Sequence, residues 1–201
     1  MKKIFLAVMG LMVATVANAQ NPKVKMITEK GEIIAELYAD KAPISVANFL
    51  RYVDAKGYDN ATFFRAVRMD NQIQNKIKIE VVQIGVDDSV EHFDPIPLER
   101  TRDTGINHVD GTLSMARGGA DTATASFSIA INENPNLDFG SMRASDGQGF
   151  AAFGRVISGM EIVREIQLAE TVPPADPDNL EFTAGQMIVN PVVIHTIERL
   201  E

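Results

Sequence analysis

The sequence predicts a mainly β domain, with about eight short strands closed into a barrel and two amphipathic helices over its open ends. Three observations carry that expectation. Short strand-like runs recur along the chain, broken by clusters of Gly, Asp and Asn. Only two segments carry a helical stripe, and no linker, repeat or low-complexity tract divides the chain. So many short strands in one small domain leave exposed edges unless the sheet closes on itself.

Residues 23–40, KVKMITEKGEIIAELYAD, form two strands joined at a turn around Lys30 and Gly31, with Ile33, Ala35 and Leu37 on one face of the second. In APISVANFLRYVDAKGYD (42–59), Pro43 suits a first helical turn and Gly57 the stop. Val46, Phe49, Leu50 and Val53 make the i, i+3, i+4, i+7 stripe between them. Residues 61–68 and 77–84 pair as strands around the polar loop MDNQIQNK. A long irregular stretch follows, then three short strands in GTLSMAR, SFSIAI and FAAFGRVI. Met160, Val163 and Ile166 mark the second helix. The Pro-, Asp- and Gly-rich stretch 171–187 is a loop, and PVVIHTIERL (191–200) closes as the last strand.

Ahead of these elements, MKKIFLAVMGLMVATVANA has a basic start, an apolar run from Ile4 to Ala17, and small residues at 17 and 19. That is the pattern of a cleaved export signal over 1–19, and the run is shorter than the roughly 20 residues a membrane-spanning helix needs. The mature domain is then 20–201, and a periplasmic location is expected, with no membrane association after cleavage. Taking Lys2 and Lys3 from the 19 basic residues leaves 17 against 27 acidic ones. An acidic surface repels phosphates and anionic lipid, so nucleic acid is not an expected partner. The chain has no cysteine, which excludes disulfides, thiol nucleophiles and Cys-ligated metals.

Other routes to chemistry lack their residues as well. His92, His108 and His195 lie far apart in sequence with no HExxH-type spacing, and no GxSxG elbow occurs. DGQGFAAFG has its third glycine too late for a dinucleotide loop. Neither a metal nor a cofactor is expected. One residue stands out: in ATFFRAVR (61–68), simple alternation puts Arg65 on one face with Phe63 and Val67. A guanidinium stays charged and is costly to bury without partners, so it either snorkels over the barrel exterior or has a task.

In order and spacing, the chain resembles the cyclophilins, a family of peptidyl-prolyl isomerases. The phrases that carry the resemblance are GEIIAELYADKAPISVANFLRYVDAKGYDNATFFRAV, VVQIG, GTLSMAR, SFSIAINENPNLD and FAAFGRVISGMEIV. The resemblance implies an eight-stranded antiparallel closed barrel capped by two α-helices, with a substrate groove on its outer surface. It implies an enzyme acting on proline-containing polypeptides without cofactor or covalent intermediate, and a monomer is expected. Arg65 falls on the family's catalytic arginine and Gln83 on the glutamine that holds it. Val81 shares the face of Gln83. Ala116 matches a backbone site for an extended peptide, Phe127 and Leu137 match the proline pocket, and Phe150 replaces a groove histidine.

Departures from the family pattern sit in the same places. Phe64, counted with the substrate-binding residues, stands for a histidine; Glu80 and Ser128 stand for pocket phenylalanines. Ser126 replaces a glutamine, and Asn136 the aromatic residue of the drug-sensitive members. The expected function is therefore isomerisation of X-Pro bonds in exported chains. The competing expectation is a proline-peptide-binding chaperone module with little or no turnover. If Arg65 points into a solvated groove, its loss is expected to leave stability nearly unchanged.

Overall fold

Alternate residues along the strands face inward, and those faces close on one another. Val24 and Met26, then Ile33, Ala35 and Leu37, are fully buried, while their neighbours are partly exposed. The computed structural model describes residues 21–87, 89–176 and 178–200, so the expected signal at 1–19 lies outside the described residues. Its strands are β1 (Lys23–Thr28), β2 (Gly31–Leu37), β3 (Thr62–Val67), β4 (Val81–Gly85), β5 (Thr112–Met115), β6 (Phe127–Ala130), β7 (Ala152–Ser158) and β8 (Met187–Leu200). They form one closed barrel in the order β1-β2-β7-β5-β6-β4-β3-β8, with β8 returning to β1 and every pair antiparallel. Closure removes the sheet edges, as the many short strands require.

Two amphipathic helices flank the barrel. α1 (Pro43–Asp54) buries Val46, Phe49, Leu50 and Val53, the stripe expected from the sequence. Phe49 meets Phe127 edge-on at 5.2 Å between ring centroids, and Tyr58 and Phe153 complete the aromatic centre of the core. Ala42 cannot cap α1 with its side chain; instead the Glu99 carboxylate accepts from the N–H groups of Ile44 and Ser45 at 3.0 and 2.7 Å. That satisfies two otherwise open donors and sets a negative charge at the positive end of the helix. A one-turn helix, α2 (Thr101–Thr104), lies in the stretch expected to be irregular. α3 (Met160–Gln167) buries Val163 and Ile166 against β2, β3 and β4. Among the described residues, no helix is long and apolar enough to cross a membrane.

One boundary differs from expectation in a way that shapes the site. β4 starts at Val81 rather than at residue 77. The backbone before it is held by side chains instead of by a ladder. Gln72 donates to the Ile79 carbonyl at 2.6 Å and accepts from the Ile79 N–H at 3.2 Å. Asn134 accepts from the Glu80 N–H at 2.7 Å. Polar residues that look like loop filler in the sequence thus pair a backbone that would otherwise need a neighbouring strand.

Candidate active site

β3 carries the key irregularity. Phe63 pairs with Ile84 and Arg65 with Gln83, so Phe64 is an extra residue, a β-bulge. Phe63 and Ala66, three apart, both lie fully buried in the barrel core. Plain alternation cannot do that; the bulge shifts the phase. Phe63 and Arg65 therefore do not share a face, contrary to the expectation from alternation. Arg65 turns outward beside Gln83, and Val67 joins Ile79, Val81 and Leu137 in a small apolar cluster outside the main core, with Phe150 against it.

The guanidinium is clamped from two sides. Arg65 donates from Nη1 to Gln83 Oε1 at 3.0 Å, and from Nε and Nη2 to Gln186 Oε1 at 2.9 and 2.6 Å. Gln186 is fully buried and its backbone carbonyl accepts from the Ala66 N–H at 2.9 Å, so it is anchored to the bulged strand itself. A guanidinium has five N–H groups, and the clamp uses three. One N–H on each terminal nitrogen is left for a bound molecule. Burial, then the nearby positive charge of Arg143, lowers the Arg65 pKa to about 10, which still leaves it charged at neutral pH.

Arg65 and Gln83 line a groove of about 490 Å³ together with Val81, Ala116, Leu137 and Phe150. Six of the eight expected site residues thus come together around one cavity. Phe127 does not. Its ring is wholly buried in the core against Phe49 and Tyr58, because β6 alternates and turns Ser128, not Phe127, to the groove. Phe64 is absent from the lining too; as the bulge residue it lies over Gly85. Glu80 also leaves the groove, its carboxylate accepting from Asn132 at 3.0 Å while Ile79 lines the wall. The Ala116 N–H is committed to the Ser126 carbonyl at 2.9 Å, which leaves its own carbonyl for an extended peptide. Asn136 donates to the Lys78 carbonyl at 2.8 Å, away from the groove lining.

Residues with no signature in the sequence complete the site. Phe182, in the loop before β8, is more than half exposed and stands 5.6 Å from the Arg65 guanidinium carbon, measured to its ring centroid. It lines the same groove as Ser128 and gives that groove an exposed aromatic ring. Arg117 holds Asp146 through two hydrogen bonds, at 2.8 and 2.9 Å, and stacks 5.0 Å from the Phe150 ring. That bidentate contact, with a backbone N–H from Gln148, draws the Asp146 pKa down to about 2.

His108, unassigned by spacing, sits beneath the groove. Its Nδ1 meets Asp138 and its Nε2 meets Ser114 Oγ, both at 2.7 Å. The ring is thus held at both nitrogens, by a carboxylate on one side and a hydroxyl on the other. The order of groups is that of an acyl-transfer triad, but Ser114 is 2 % exposed, so its hydroxyl serves as floor rather than nucleophile. The bond to Asp138 also fastens the adjoining Leu137 in place.

The structure thus gathers a clamped arginine, an apolar wall and a strand end around one groove on the barrel. The family profile for "Cyclophilin type peptidyl-prolyl cis-trans isomerase/CLD" matches residues 23–195. A peptidyl-prolyl cis-trans isomerase of Acinetobacter baylyi is 34 % identical over 168 residues, covering 83 % of this chain and 82 % of the relative. Peptidyl-prolyl cis-trans isomerase A of Dickeya dadantii is 34 % identical over 149 residues, 74 % of this chain and 72 % of the other. A cyclophilin-type isomerase of Cryptosporidium parvum, crystallised in the presence of the dipeptide Ala-Pro, shares the fold with a TM-score of 0.65 at 19 % identity. That superposition covers 89 % of this chain and 99 % of that one. The chain belongs to the cyclophilin-type peptidyl-prolyl cis-trans isomerase family. It is an isomerase enzyme of that type.

Proposed function

We propose that Arg65 accelerates rotation about X-Pro bonds in exported polypeptides and so assists their folding. The observation that carries this reading is the clamp: two glutamines fix the guanidinium and leave two N–H groups facing an apolar groove. Rotation changes no covalent bond. Its barrier of about 18–20 kcal/mol is the loss of amide resonance as the bond twists. At the twisted geometry the prolyl nitrogen regains a lone pair, to which an Arg65 N–H donates. The contact exists only there, so it lowers the barrier rather than tightening ground-state binding. Leu137, Val81 and Phe150 hold the ring and exclude water, which strengthens a charged hydrogen bond.

Supporting the cellular part of the reading are the basic start and apolar run of residues 1–19, the pattern of a cleaved export signal. Uncatalysed X-Pro isomerisation takes tens of seconds, long enough to limit folding after export. The mature protein is proposed to act as a periplasmic monomer, free of the membrane once the signal is cut. N-terminal sequencing of periplasmic material should begin at Gln20, and a retained Met1 contradicts export with cleavage. Ser128 in place of an aromatic wall favours a second reading, a proline-peptide-binding module with weak turnover. Measuring cis-to-trans conversion of a proline peptide separates the two: turnover well above the uncatalysed rate supports the enzyme, and tight binding without turnover supports the module.

A further inference from the structure

Two guanidiniums in the groove, those of Arg65 and Arg143, have no carboxylate partner among the described residues. Arg117, in the same wall, shows the contrast, since Asp146 neutralises it. Arg143 is only 9 % exposed. Its Nη1 donates to the Ile77 carbonyl at 2.7 Å and to Gln72 Oε1 at 3.3 Å, both neutral, and its Nη2 has no partner among the described residues. The Phe182 ring stands over it, 4.7 Å from the guanidinium carbon, and over Arg65 at 5.6 Å.

Leaving a buried charge half-satisfied beside a second like charge is costly. Among the described residues, the groove's one paired carboxylate, Asp146, goes to Arg117, and neither Arg65 nor Arg143 receives one. Neutral acceptors hold Arg143 in position while its charge stays available, as a site for an incoming anion requires. Arg65 is not the natural anchor for such a group, because its remaining N–H groups serve the prolyl nitrogen. Arg143 has no such competing task. Phe182, more than half exposed on its loop, is the ring that lies between Arg143 and the solvent-facing groove.

Resting on the isomerase reading, we propose that Arg143 recognises a carboxylate of the bound peptide, so that the enzyme prefers prolines flanked by Glu or Asp. Between the two sources of a carboxylate, an acidic side chain and a free peptide terminus, the side chain is assigned. In a polypeptide substrate the proline is an internal residue, so the group beside it is a side chain rather than a terminus. Arg143 is thus a specificity-determining residue for the reaction.

The test uses C-terminally amidated proline peptides with Glu or Gln directly before or directly after the proline. Read as kcat/KM, the Glu-to-Gln ratio in the wild-type protein is expected to be roughly tenfold at one of the two positions, the factor that about 1.4 kcal/mol corresponds to. Arg143→Met should bring that ratio to near one, Arg143→Lys should keep part of it, and about 1 M salt, with a screening length of roughly 3 Å, should shrink it. A ratio is internal to each variant, so loss of overall activity or of folded fraction does not disguise the result. If turnover is absent for every peptide, the isomerase reading fails, and the same ratio read as Kd still decides this proposal. A wild-type ratio near one at both positions overturns it, as does a ratio that survives Arg143→Met. A preference seen only when the neutral peptide carries a free C-terminal carboxylate overturns the side-chain assignment.

Discussion

At the residue scale, Gln186 shares the holding of Arg65 that the family resemblance implied for Gln83 by itself. It accepts two of the three hydrogen bonds that fix Arg65 and is fully buried, so it has no water to turn to. Gln186→Leu should lower kcat/KM about tenfold by releasing the guanidinium, with KM changed less than kcat; unchanged kinetics would leave Gln83 as the sole positioning group. The same burial revises an expectation. Arg65→Ala strips Gln186 of its partner, so a stability loss of about 1–3 kcal/mol, or roughly 2–12 °C in Tm, replaces the near-neutral effect expected of a solvated arginine. Phe182 acts differently, since its ring is exposed and the core does not need it. Phe182→Ala should cost roughly two- to fivefold in kcat/KM through a loosened groove, with Tm unmoved. A large drop in Tm would mean that the ring holds the fold instead.

Among the elements, the segment from Leu137 to Phe150 is what the groove depends on. Gly149 sits at φ +67°, and a Cβ there would meet Asp138 C and Phe139 N at 2.6 Å. Gly149→Ala should therefore push Phe150 off the wall and destabilise the fold by more than about 1 kcal/mol, seen in thermal melts and in a raised KM. Arg117 and Asp146 brace the same segment. Because the Asp146 pKa is lowered in the folded protein, its contribution is fully present above the ordinary carboxylate range and disappears as pH falls toward about 2. Asp146→Asn should flatten the loss of Tm between about pH 4 and 2. An acid limb as steep as in the wild type would assign it to other carboxylates. The β3 bulge shows why this level was only partly legible. Alternation identified the strand, but an inserted residue changes every facing after it, and nothing in TFFRAV marks Phe64 as the extra one.

The whole molecule was more legible than its site. Barrel, strand count and both amphipathic helices follow from period-two runs and two helical stripes, because burial imposes those periods on every residue it touches. The groove is built otherwise, from bulge, loop and long-range polar contacts. Gln186, Arg143 and Phe182 lie in stretches whose local pattern is only that of a loop, and they meet Arg65 across 121, 78 and 117 positions of sequence. Phe127 shows the opposite failure: a motif put it in the pocket, while β6 turned its neighbour Ser128 there instead. The clamped guanidinium of Arg65 is proposed to serve the twisted amide. The most direct measurement compares kcat/KM for a proline peptide in the wild type and in Arg65→Ala, at a temperature where both are folded. A hydrogen bond from a charged donor contributes roughly 1.5–3 kcal/mol, so kcat/KM should fall by about one to two orders of magnitude, carried by kcat. An Arg65→Ala protein that is folded and turns over at the wild-type rate would contradict it.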